Sequence, residues 1–118
     1  MLKRIIFMGT PEFSVPTLEY LIKAQYEVLA VYSQPAQKAH RGQKINFSIV
    51  EEFARKNSLT VRTPKILDSD QEFNFMKKLN PDIVVVVAYG KIIPKRFLNL
   101  SKHGFINIHA SLLPKWRG

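Results

Sequence analysis

The chain has 118 residues, 46% of them hydrophobic, with 18 Lys and Arg against 9 Asp and Glu and no cysteine. That length holds one domain with a sizeable core, and the lack of cysteine excludes a disulfide scaffold, a thiolate metal site and a Cys nucleophile, and fits a reducing compartment. The formal charge of +9 favours an anionic partner such as nucleic acid, nucleotide or a membrane surface.

In chain order, Ile5 to Met8 reads as a first strand, stopped by Gly9-Thr10-Pro11. Only four apolar residues follow Lys3-Arg4, too few for a signal peptide. Val15, Leu18, Leu21 and Ile22 recur at helical spacing, with Ser14 the expected N-cap. Val28 to Tyr32 is a second strand. Ser33 to Ile45 shows no periodicity and is expected to be a mobile loop carrying Lys38, His40, Arg41 and Lys44. Ser48 followed by Glu51, and Ser69 followed by Glu72, are capping-box patterns that open two further helices. Leu59 to Val61 lies between them as a short third strand. Asn80-Pro81 ends the second of these helices.

Ile83 to Val87 is apolar on both faces, so it belongs in the middle of a sheet covered on both sides. The whole apolar run from Ile83 to Tyr89 is far short of the ~20 residues that span a bilayer. Pro94 opens a helical turn through Leu98, and Phe105 to His109 is a fifth strand. Strand and helix alternate throughout, which predicts a parallel, doubly wound α/β sheet with right-handed crossovers. Ligands of such sheets sit beyond the carboxyl ends of the strands. That places Gly9-Thr10-Pro11, Ser33-Gln34-Pro35, Ala88-Tyr89-Gly90 and His109-Ala110-Ser111 on one rim. The chain stops soon after its fifth strand, and Trp116 is an odd side chain to find so near a terminus. The sequence therefore reads as the first part of something longer.

The first turn lacks the spacing of a dinucleotide or Walker loop, and no acid closes the second strand to hold a ribose. The more promising pair is Asn107 and His109, which strand alternation puts on one face. On a buried strand they would be costly unless paired or used. Either they are satisfied structural residues, or an amide that can stabilise an oxyanion stands beside an imidazole that can move a proton. Ala110 to Gly118 is either a local staple or one wall of an apolar pocket. The basic loop is either solvated or docks on a phosphate backbone. His40, His103 and His109 have no metal-ligand spacing, so no metal is expected.

Charge is unevenly placed. Residues 1–82 carry 12 basic and 9 acidic side chains, whereas residues 83–118 carry six (Lys91, Lys95, Arg96, Lys102, Lys115, Arg117) and no carboxylate.

Gly9-Thr10-Pro11-Glu12-Phe13, Gln34-Pro35, Arg41-Gly42, Val86 to Gly90 and above all Asn107 to Gly118 resemble the 10-formyltetrahydrofolate-dependent formyltransferases. Asn-x-His with Ser-Leu-Leu-Pro marks that family as a whole. The Gly-Thr-Pro start, the Arg-Gly loop and the Trp-Arg-Gly end are most similar to its methionyl-tRNA formyltransferase branch. The resemblance implies a Rossmann-like, mostly parallel sheet of about five strands with helices on both faces, truncated before the end of the domain. Residues 1–118 would then be an incomplete N-terminal, folate-binding domain, without the C-terminal barrel that contributes to tRNA binding.

The resemblance further implies that Asn107 and His109 are catalytic. Tyr89, Gly90 and Ile92, with Ser111, Leu112, Leu113 and Pro114, would bind 10-formyltetrahydrofolate as formyl donor. Arg41 and Lys44 would reach the acceptor end of initiator methionyl-tRNA in a cytoplasmic, bacterial setting. Two departures stand out. The family loop usually runs Gln-Pro-Asp-Arg-Pro-Ala-Gly-Arg-Gly, and here Ala36 to His40 replaces its middle. The family's later Asp, which orients the imidazole, has no counterpart after Asp82. Little or no activity is therefore expected of these residues alone. Self-association through surfaces left open is also expected. Alternatives are a non-catalytic remnant with weak folate or RNA binding, and a piece of an amino-sugar or nucleotide formyltransferase.

Overall fold

The structure is a computed structural model describing residues 3–38 and 44–109. Ser111 to Pro114, Arg41 and His40 lie outside the described residues. Among the described residues there are seven strands: β1 (Arg4–Gly9), β2 (Glu27–Tyr32), β3 (Gln37–Lys38), β4 (Ile45–Asn46), β5 (Val61–Arg62), β6 (Ile83–Val87) and β7 (Phe105–Asn107). The α-helices are α1 (Val15–Lys23), α2 (Ile49–Lys56) and α3 (Asp70–Leu79). Short 3₁₀ turns cover Glu12–Ser14 and Lys95–Asn99.

Five strands form one parallel sheet in the order β5-β2-β1-β6-β7. The alternation of apolar residues sorts its two faces. Ile5 and Phe7 of β1, with Val85 and Val87 of β6, pack beneath Leu18 and Leu21 of α1 and Val50 and Ala54 of α2. Ile6, Met8, Val84 and Val86 face the other way, against Met76 of α3 and Phe97 of the second 3₁₀ turn. Both faces are thus covered, as the unbroken valine run of β6 requires.

The chain moves outward from β1 to β2 and β5, then returns to the other side of β1 as β6 and β7. The reversal between β1 and β6 is a topological switch point, and a crevice opens there at the carboxyl ends of the strands. Gly9 allows the close approach at this point. A Cβ on it would stand 2.8 Å from the Val87 carbonyl oxygen and 2.9 Å from the Phe7 ring.

Several local expectations need correction. Ser14 stands before α1 but makes no side-chain cap. Its buried hydroxyl donates instead to the Val87 carbonyl at 2.6 Å, tying the start of α1 to the end of β6. Ser48 and Ser69 do cap, accepting from the backbone N–H groups of Glu51 and Glu72. The third strand is Val61–Arg62 and not Leu59 to Val61, because Leu59 turns into the core. The segment from Ser33 to Ile45 is not wholly irregular, since β3 and β4 pair antiparallel within it. The fifth strand of the sheet ends at Asn107, although the Ile108 N–H still reaches the Val86 carbonyl at 2.8 Å. That strand is not buried. Among the described residues β7 pairs only with β6, Ile106 is 45% exposed, and Asn107 and His109 are open to solvent.

Candidate active site

The crevice at the switch point is built by side chains that hold backbone. Thr10, the first residue after β1, donates its hydroxyl to the Tyr89 carbonyl at 2.7 Å and accepts from the Gln34 N–H at 3.2 Å. One threonine thus joins the loops after β1, β2 and β6. Ser33 and Ser48 share a 2.6 Å hydroxyl contact that brings the end of β2 to the start of α2. Three of the four expected rim segments, those after β1, β2 and β6, are therefore tied together, whereas Ala110 and Ser111 of the fourth lie outside the described residues.

The loop after β6 leaves the sheet abruptly. Ala88 takes φ +53°, a left-handed conformation uncommon for a residue with a Cβ. Gly90 takes φ +97°, where glycine is favoured, and a Cβ there would meet the Gln34 side-chain amide at 2.8 Å. These two turns raise the loop as one wall of a cleft of about 560 Å³, within the ~300–1,000 Å³ range of small-molecule sites. Phe13 closes one side, Ala88 to Ile93 form the wall, and Asn107, Ile108 and His109 form the opposite side.

The cleft brings together Asn107, His109, Tyr89, Gly90 and Ile92, five of the residues singled out in the sequence. They play unequal parts. Ile92 stands at the loop tip and is 91% exposed. The Tyr89 side chain is 1% exposed and packs in the core below, so what it offers the cleft is backbone. Burial, with a smaller contribution from the Glu72 charge, pushes the Tyr89 hydroxyl up to about 12. Lys44 is exposed just before β4 and does not line this cleft. A second, smaller hollow of about 260 Å³ lies between Thr10, Gln34 and the β3–β4 hairpin and includes Lys38. Ala88, placed on the rim by the strand pattern, does line the cleft, whereas Phe13, Val86, Lys91, Ile93 and Ile108 are lining residues that were not proposed as site residues. The Ala-Tyr-Gly turn was the available signal for the wall.

The raised Tyr89 hydroxyl gives a signed pH prediction. The folded state holds this proton more tightly than the unfolded chain. The associated stability is fully present below pH ~10 and declines as pH rises toward the folded value. Tyr89→Phe removes that loss. Relative to the wild type, the variant should gain about 1.4 kcal/mol between pH ~9 and pH ~11 in urea unfolding. A pH-independent difference would contradict the assignment.

Among the described residues no group of three His, Cys, Asp or Glu could hold a metal ion, and no helix is long and apolar enough to cross a membrane.

An open parallel sheet with a cleft over its strand ends defines a doubly wound α/β protein. Residues 3–118 match the family model described as formyl transferase, and the chain belongs to that family. It is 55% identical over 119 aligned positions to the methionyl-tRNA formyltransferase of Pelagibacter ubique (strain HTCC1062), covering 100% of this chain and 38% of that protein. It is 53% identical over 115 positions to the methionyl-tRNA formyltransferase of Jannaschia sp. (strain CCS1), covering 98% of this chain and 38% of the relative. The chain thus spans about 38% of the length of these curated relatives. Among solved structures, phosphoribosylglycinamide formyltransferase from Brucella melitensis superposes with a TM-score of 0.64 at 23% identity. That match covers 100% of this chain and 62% of the other. At that identity the likeness supports the fold, a Rossmann-like parallel sheet of five strands.

Proposed function

We propose that the chain forms the donor side of the active site of a methionyl-tRNA formyltransferase. The enzyme would move a formyl group from 10-formyltetrahydrofolate to the amino group of methionyl-initiator tRNA in the bacterial cytoplasm. The observation that carries this reading is the convergence of Asn107, His109 and the Ala88–Ile93 wall on one cleft, in a chain 55% identical to a relative of that name.

In this reading the folate ring lies against the wall of Gly90 and Ile92 and the backbone of Tyr89. Ser111, Leu112, Leu113 and Pro114 complete the donor site, as the family resemblance assigns them. The substrate amine attacks the formyl carbon, forming a carbon–nitrogen bond and placing negative charge on the formyl oxygen. The Asn107 amide donates a hydrogen bond to that oxygen. His109 takes a proton from the attacking amine and returns one to the folate nitrogen as its bond to the formyl carbon breaks. Arg41 and Lys44 approach the phosphate backbone of the tRNA. The acid that orients the imidazole in the family has no counterpart after Asp82, so residues 1–118 bind donor but turn over poorly alone.

The test is a titration of the chain with 5-formyltetrahydrofolate, a donor analogue, followed by amide and side-chain NMR. Saturable shifts should appear at the Asn107 side-chain amide, the His109 ring and the amides of Tyr89 to Ile92, with α1 unmoved. Shifts confined to other surfaces, or no saturation at millimolar analogue, would refute the reading.

A further inference from the structure

Between Ala88 and Pro94 the wall of the cleft has neither helix nor strand to hold it. Its start is fixed by Thr10 on the Tyr89 carbonyl. Beyond Gly90, Ile93 packs against the core, and the polar anchoring comes from two cations, both directed at the segment between β5 and α3. The Lys91 ammonium donates to the Pro64 carbonyl at 3.0 Å and to the Lys65 carbonyl. Arg96, in the 3₁₀ turn just past the wall, donates to Asp68 at 2.9 Å and to Asp70 at 3.1 Å. Its guanidinium also lies 4.9 Å from the centre of the Phe73 ring.

Lys91 lines the cleft, and in a basic chain that position suggests a cation waiting for an anionic ligand. Its bonding indicates otherwise. The ammonium has three donors, and two of them are directed at carbonyls of a neighbouring segment. Next to it Ile92 is 91% exposed, so among the described residues its side chain contributes little to holding the loop. The geometry points to Lys91 as a positioning residue. It clamps the Gly90–Ile93 wall to the Pro64–Lys65 backbone and so presents the wall to the formyl donor. Arg96 anchors the far end. This inference rests on the donor-site reading above for the identity of the ligand, and on the structure alone for the clamp.

Lys91→Met keeps most of the side-chain length and removes the donors, while Lys91→Arg keeps donors able to reach both carbonyls. In the Met variant, hydrogen exchange of the amides at positions 90 to 93 should quicken by about tenfold, with β1 and α1 unchanged. Its Kd for 5-formyltetrahydrofolate should rise by about tenfold, and Lys91→Arg should restore both quantities. A direct ionic contact between Lys91 and the folate would instead weaken binding in the Met variant with exchange unchanged, and that result overturns the clamp. Faster exchange with unaltered affinity overturns the positioning role. If the wild-type chain does not bind the analogue, the donor reading fails, and the exchange comparison alone then upholds or overturns the clamp.

Discussion

Glu72→Ala should cost about 3 kcal/mol of folding stability. Glu72 is one of the few buried acids, its side chain 7% exposed. The Tyr32 hydroxyl donates to its Oε1 at 2.8 Å. Arg62 donates to both oxygens, at 3.2 Å from Nε and 2.8 Å from Nη2. The guanidinium also stacks 4.2 Å over the Phe75 ring. Truncating Glu72 strands a phenol and a charge together. Losses of ~3–5 kcal/mol follow when a buried ion pair is broken from one side. The lower end applies because the Arg62 side chain keeps 26% of its exposure.

Glu72→Gln keeps the shape and an acceptor for Tyr32, so about 1–2 kcal/mol is expected. A double-mutant cycle with Arg62→Met, read by urea unfolding, should show a coupling of about 1–3 kcal/mol. Additive losses would mean that the pair is ornamental. Tyr32 and Arg62 are register partners at the ends of β2 and β5. The network therefore fixes the carboxyl end of the sheet, where the rim begins. Burial, with the hydrogen bond and charge of Glu72, pushes the Tyr32 phenol far above its ordinary value. It remains a neutral donor through the ordinary pH range.

The same glutamate shows where the sequence was legible and where it was not. Ser69 followed by Glu72 announced a helix start, and the serine does cap α3. The glutamate was expected to complete the box by turning back to the cap. It reaches instead across 40 residues to Tyr32, because burial of a carboxylate rewards charged and hydroxyl partners over one more backbone N–H. Glu51 also leaves its cap, but for Arg55 one turn along the same helix at 2.8 Å, a pair that helical spacing does foretell. Period and capping report local geometry, and the long-range partners of Glu72 are a property of the assembled layers.

Strand order is the second such property. Alternation was expected to put Asn107 and His109 on one face, and the structure has Ile108 between them lining the same cleft, yet nothing in the local pattern says that β7 is the outermost strand among those described. The pair was therefore expected to be buried and is exposed. The cationic excess after Asp82 is the third. Lys91 and Arg96 contribute to it, and both are directed at groups 26 to 28 residues earlier. Part of what a charge count offers to an anionic partner is thus already engaged inside the fold.

Exposure of the pair turns the last expectation into a sharp test. Asn107 and His109 are solvent-open and lie on the cleft. Their truncation should therefore leave folding within about 0.5 kcal/mol of the wild type. Under the proposed function their effect on formyl transfer is large. Asn107→Ala removes a donor from the developing oxyanion and should lower kcat by ~10²–10³ at saturating donor. Asn107→Asp should do at least as much harm, since it sets a negative charge against the oxyanion. His109→Ala removes the proton carrier and should lower kcat by ~10²–10⁴. The two losses should not multiply, because both groups serve one tetrahedral species. The assay is formylation of methionyl-tRNA by the intact protein, with melting curves run in parallel and KM for the donor measured separately. Raised KM with kcat unchanged would make the pair binding residues only. Wild-type kcat in both alanine variants would remove them from the chemistry, and the catalytic centre would then lie elsewhere on the rim.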